Sequence, residues 1–125
     1  MLNGVVALLS RALMSAIFLQ AGYTKALTHT ATIAYFDKLA LPNPPLAYAV
    51  TVAVELLGGL AILVGWKTKP AALLLACWCI ATAMVAHYHP GDRTQLIQFL
   101  KNVCMAGGFL QLFMLGAGRF SLDRR

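Results

Sequence analysis

Residues 8–25 read LLSRALMSAIFLQAGYTK. The run is apolar enough for a membrane helix, yet Arg11 stands near its start and Lys25 at its end. A charge at bilayer depth costs roughly 2.5–3.5 kcal/mol on insertion scales. A segment that keeps a guanidinium under that penalty predicts a compensating group on a neighbouring helix.

The whole chain supports a membrane setting. Of its 125 residues, 60% are hydrophobic and 11% charged, with a mean hydropathy of +0.74. Soluble domains run near 45–50% apolar and about 25% charged. A water-soluble core this rich in apolar residues would leave too little polar surface to cover it. The length suits one domain, residues 1–125. The net charge of +6 does not point to nucleic acid, because the basic residues gather at segment ends, where they orient helices and meet lipid headgroups. The start of the chain lacks a basic leader region, and Arg11 interrupts the apolar run, so it reads as a retained membrane helix and not a cleavable signal. Cys77, Cys79 and Cys104 lie inside apolar runs without metal-ligand spacing. Two residues apart on a helix, Cys77 and Cys79 point about 200° apart, and all three read as small packing residues.

Four stretches reach the roughly 20 apolar residues that a membrane helix needs: about 4–23, 46–65, 70–87 and 96–117. The expected fold is all-α, an integral membrane four-helix bundle. WKTKP makes a tight turn between the second and third spans, with Thr68 placed to cap and Pro70 suited to a first turn. HYHPGDRTQ is a short polar loop with a Pro-Gly turn. In the first loop Ile33, Phe36 and Leu39 recur at helical spacing, which predicts a short interfacial helix ended by Pro42, Pro44 and Pro45.

Four spans put both termini on one side. Lys67, Lys69, Arg119, Arg124 and Arg125 lie there, against Lys25, Lys38 and Arg93 opposite, the latter offset by Asp37 and Asp92. The positive-inside rule then places both termini in the cytoplasm.

Helical wheels give each span a stripe of small and polar residues: Arg11, Ser15, Phe18, Gly22 and Lys25; Thr51, Glu55, Gly58, Gly59 and Ile62; Ala72, Ala76, Cys79, Ala83 and His87; Lys101, Cys104, Gly108 and Gln111, with Asn102 beside them. Small residues let membrane helices approach closely, leaving Leu, Ile, Val and Phe for lipid. Two arrangements satisfy the charges. Arg11 can pair with Glu55 in the bundle interior. Alternatively Arg11 snorkels to the headgroups, and Glu55 is protonated or paired with Lys101 or Lys25. The other polar residues, including His87, His89, Gln98, Lys101 and Asn102, fall toward the non-cytoplasmic half. A lone histidine there is more often interfacial than a ligand. Arg11, Lys25, Glu55, His87, Lys101 and Asn102 around one lumen make a candidate site. No catalytic residue and no metal ligand is designated by the pattern.

In order, RALMSAIFLQAGYTK, VELLGGLAILVGWKTKPAAL, MVAHY, FLKNVCMAGGFLQL and GRFSLD resemble the DoxX family of small four-helix bacterial membrane proteins. The likeness rests on Arg11 with Phe18, Gly22 and Lys25, on Glu55 with Gly58 and Gly59, and on His87, Asn102 and the Ser121–Asp123 tail. It implies an accessory or quinone-interacting component of a membrane oxidoreductase or oxidative-stress system. The ligand it suggests is a quinone, and the partners are the lipid bilayer and a redox subunit; an oligomer is compatible with it. No haem-ligand signature, Rossmann glycine motif or redox C-x-x-C accompanies it, so the sequence advertises no electron-carrying cofactor. A non-catalytic membrane assembly or scaffold partner is the alternative. A small proton-coupled exporter is a second one, weakened because small multidrug transporters carry their key carboxylate in the first helix.

Overall fold

The computed structural model describes residues 2–88 and 91–123. His89, Pro90, Arg124 and Arg125 lie outside the described residues. Five helices and no strand occur among the described residues: α1 (Leu2–Leu27), α2 (His29–Lys38), α3 (Pro44–Val64), α4 (Thr68–Ala86) and α5 (Arg93–Leu115). All but α2 are long and apolar enough to span a membrane. The four spans and the short first-loop helix thus stand where the hydropathy pattern puts them.

The element ends differ from expectation, and polar groups explain why. Asp92 accepts a hydrogen bond from Gln95 N at 3.2 Å, so α5 starts at Arg93 and absorbs residues expected in the loop. Pro44 and Pro45 do not end α2. They open α3, where a missing N–H costs nothing, while the Asn43 side chain accepts from Leu46 N. The chain leaves α2 through Ala40 and Asn43, both at positive φ. Thr68 is not a cap. The cap comes from the far end of the chain, where the Asp123 carboxylate accepts from Lys67 N and Thr68 N, both at 2.7 Å.

α1 packs along α3, and α4 along α5. Phe18, Ile62, Leu75, Cys79, Ala106, Phe109 and Leu112 join the pairs in one core, with Phe18 and Phe109 edge-to-face at 5.5 Å. Leu13, Leu57, Met114 and Leu115 remain exposed, as a lipid-facing surface requires. The predicted stripes of α1 and α3 are buried from Arg11 to Gly22 and from Thr51 to Ile62. The stripe of α5 is not the predicted one. Lys101, Cys104 and Gln111 are exposed, and Ala106, Phe109 and Leu112 face the core. Burying a large aromatic surface there outweighs small-residue packing.

Close approach of α1 and α3 sets the register. A Cβ on Gly22 would lie 2.8 Å from Leu56 Cγ, and one on Gly59 would lie 3.1 Å from Leu19. Gly22 therefore sits opposite Glu55 and Leu56. Gly22→Ala should destabilise the bundle by about 1–3 kcal/mol through overpacking. Gly107, with nothing within 4 Å of a built Cβ, should accept alanine with no loss. Denaturant titration of both variants in mixed micelles checks the contrast.

With this register, α1 runs past the end of α3, and the chain after α5 covers the overhang. Gly116 and Gly118 take positive φ and reverse the chain. A Cβ on Gly4 would touch Arg119 and Phe120, and one on Gly118 would meet Ala7. Leu122 N and Asp123 N then bond to the carbonyls of Val64 and Gly65 at 3.0 and 2.8 Å. The end bearing both termini is tied shut.

Candidate ligand cavity

Arg11 belongs to that tied end. Its side chain is fully buried. Nε donates to Ala117 O at 3.0 Å, Nη1 to Leu63 O at 2.8 Å and Ile62 O at 3.3 Å, and Nη2 to Phe120 O. The guanidinium thus takes the last carbonyls of α3, where the helix dipole is negative, and fastens the tail to them. This corrects the expected Arg11–Glu55 pair. Glu55 lies seven residues before Ile62, about 10 Å along α3 at 1.5 Å per residue. Arg11 does not snorkel to the headgroups either, since backbone oxygens satisfy it inside the protein.

Glu55 instead pairs with Lys25, whose Nζ lies 2.9 Å from Oε1. The lysine side chain is 28% exposed and the glutamate 8%. Lys25 sits near the end of α1, about a turn beyond Gly22, and its stem reaches back toward Glu55. The glycine gives the glutamate room, since a Cβ there would lie 3.2 Å from Glu55 Cβ. Tyr48 OH donates to the Lys25 carbonyl at 3.2 Å, and its ring meets His29 edge-on. The end of α1 is thereby fixed to α3 and α2.

The pair lines a cavity of about 850 Å³ between the helices, with α2 contributing Tyr35 and Phe36 to its wall. Ile17, Phe18, Leu46, Val50, Val85 and Met105 make the surface largely apolar. His87, Gln98, Lys101 and Asn102 supply further polar groups. The His87 ring is oriented by Gln95, Nδ1 to Oε1 at 2.9 Å. Five of the six residues singled out in the sequence, Lys25, Glu55, His87, Lys101 and Asn102, therefore meet in one cavity, and Arg11 does not line it.

The sequence pattern does not single out Trp78 or Tyr35, and it marks Phe36 only as part of the interfacial helix. Trp78 lines the cavity, and its indole Nε1 is buried without a hydrogen-bond partner among the described residues. A tryptophan in mid-span is the available signal, because a buried indole N–H ordinarily finds an acceptor. Cys79 is buried packing as read, whereas Cys104 is exposed and lines the cavity.

A large, mostly apolar cavity with a few convergent polar groups is the usual form of a small-molecule site. Fold and site together define a multi-pass membrane protein with a large, mostly apolar cavity near the α2 end. The chain belongs to the DoxX family, whose model matches residues 6–88. It is 35% identical to inner membrane protein YphA of Escherichia coli (strain K12), covering 97% of this chain and 90% of that protein. It is 34% identical to inner membrane protein YqjF of the same strain, covering 98% and 93%. No solved structure is significantly similar.

Proposed function

We propose that this protein resides in a bacterial inner membrane and binds a lipophilic quinone in the cavity, as the quinone-interacting component of a membrane oxidoreductase or oxidative-stress system. The observation that carries the reading is the Lys25–Glu55 ion pair in the wall of an apolar cavity. Apolar walls suit a ring and its tail. The ammonium has hydrogens to spare for a quinone oxygen, and Lys101 and Asn102 offer further donors. Electron transfer itself would be carried by a redox partner subunit.

The test is titration of nanodisc-embedded protein with a short-chain quinone against empty nanodiscs. Saturable binding is expected. Lys101→Met and Asn102→Leu should weaken it by about three- to tenfold each, the scale of one hydrogen bond, while the bundle stays folded. Absence of saturable binding would leave the assembly-partner reading in the lead. That reading has its own support in a shallow apolar groove on the outer face of α4 and α5, lined by Ala76, Cys77, Ala106 and Gly107, small enough residues for a foreign helix to approach. The exporter reading draws no support from the tied end around Arg11.

The orientation proposed is both termini cytoplasmic, from the excess of Lys and Arg on the tail side. A C-terminal alkaline phosphatase fusion should then be inactive and a fluorescent-protein fusion bright. The reverse pattern would invert the cavity to the cytoplasmic half.

A further inference from the structure

The polar wall of the cavity is chemically lopsided, and this bears on which redox form of a ligand it prefers. The inference rests on the quinone reading above. Lys25 Nζ is a donor only, and Glu55 is an acceptor only when ionised. Oε1 of Glu55 takes the ammonium at 2.9 Å, and Oε2 has no hydrogen-bond partner among the described residues. Both side chains line the cavity. A quinone carbonyl placed beside them has lone pairs alone. It can accept from Lys25, but it turns those lone pairs toward an anionic carboxylate. A hydroquinone hydroxyl has a proton and two lone pairs. It can accept from the ammonium and donate to the carboxylate at once, keeping the ion pair matched.

We infer that the cavity selects the reduced, hydroxyl-bearing form of its aromatic ligand, a hydroquinone over the corresponding quinone, through Glu55. Lys101 and Asn102 do not set this preference. An ammonium gives a hydrogen bond to either oxygen, and a side-chain amide both donates and accepts. The discriminating group is the one that can only accept. A hydrogen bond to a charged acceptor corresponds to a preference of about tenfold to a hundredfold.

Isothermal titration under nitrogen, with the full chain in nanodiscs, tests this with three probes: a decyl-benzoquinone, its hydroquinone and the dimethyl ether of that hydroquinone. The hydroquinone should bind at least about tenfold more tightly than the quinone. The ether, which keeps the oxygens and loses the protons, should bind no better than the quinone. Glu55→Gln replaces the obligate acceptor with a group that serves both forms, and should bring the hydroquinone–quinone ratio below about threefold. If that variant does not fold, the three probes on the native protein still decide. Equal binding of hydroquinone and quinone, or an ether as tight as the hydroquinone, overturns the selectivity and leaves the quinone site standing. No saturable binding by any of the three overturns the quinone reading and the selectivity with it.

Discussion

Arg11→Met should destabilise the bundle by about 3–5 kcal/mol, the scale seen when one member of a buried charged network is removed. The guanidinium donates to four backbone carbonyls, those of Ile62, Leu63, Ala117 and Phe120. Methionine fills similar space and offers no donor, so the carbonyls of Ile62 and Ala117, whose bonds to Arg11 are buried, lose that partner. Two of the carbonyls are on α3 and two in the chain after α5, so the loss also releases the tail. The cap that Asp123 places on Lys67 N and Thr68 N should loosen with it. Arg11→Lys should recover only part of the stability. An ammonium is a single point of three donors and cannot span oxygens on two segments as a planar fork does. Unfolding by SDS titration in bicelles reads both changes. Hydrogen exchange at residues 116–123 should rise in Arg11→Met well before exchange within α3. Arg11→Met combined with Glu55→Gln should be additive within about 0.5 kcal/mol, since the two side chains share no partner. Strong coupling between them would contradict the arrangement.

Lys25 and Glu55 should behave in the opposite way. Lys25→Met should cost about 2–4 kcal/mol and Glu55→Gln about 1–2 kcal/mol, with the double variant milder than the sum by about 1–3 kcal/mol. The asymmetry follows from exposure. Removing the lysine strands a carboxylate whose side chain is 8% exposed, whereas removing the charge of the glutamate leaves an ammonium that is 28% exposed and can turn toward water on its flexible stem. A double-mutant cycle by the same titration measures the coupling. Additivity here would mean that the 2.9 Å contact contributes nothing in the bilayer.

These two charges show what the sequence makes legible. The buried faces of α1 and α3 could be read from the wheel because Ser15, Gly22, Gly58 and Gly59 interrupt otherwise greasy helices at helical spacing. The partner of Arg11 could not. Counting residues from the start of each span places Arg11 and Glu55 at similar depth, but depth alone does not fix how two helices slide past each other. The contact of Gly22 with Leu56 does, and it leaves the start of α1 projecting beyond α3. What covers that projection is the chain after α5, whose Ser121–Asp123 segment carries too little hydropathy to announce a packing role. The face of α5 is hidden from the sequence for another reason. Lys101, Cys104 and Gln111 form a plausible polar stripe, but Phe109 contributes more buried surface against Phe18 and turns the helix to that side. Lys101 still lines the cavity from an exposed position, as a long amphipathic side chain can.

The central claim, that the cavity beside Lys25 and Glu55 holds an aromatic ligand, is tested most directly by photolabelling. A benzoquinone carrying a photoreactive diazirine on its tail would be irradiated with the protein in nanodiscs, and the adducts mapped by peptide mass spectrometry. The expected adducts lie on α3 around Ala47–Thr51 and on α5 around Asn102–Met105, the cavity walls, and excess unlabelled quinone should suppress them. Adducts confined to the outer groove around Cys77 and Gly107, or adducts that no competitor reduces, would contradict the assignment.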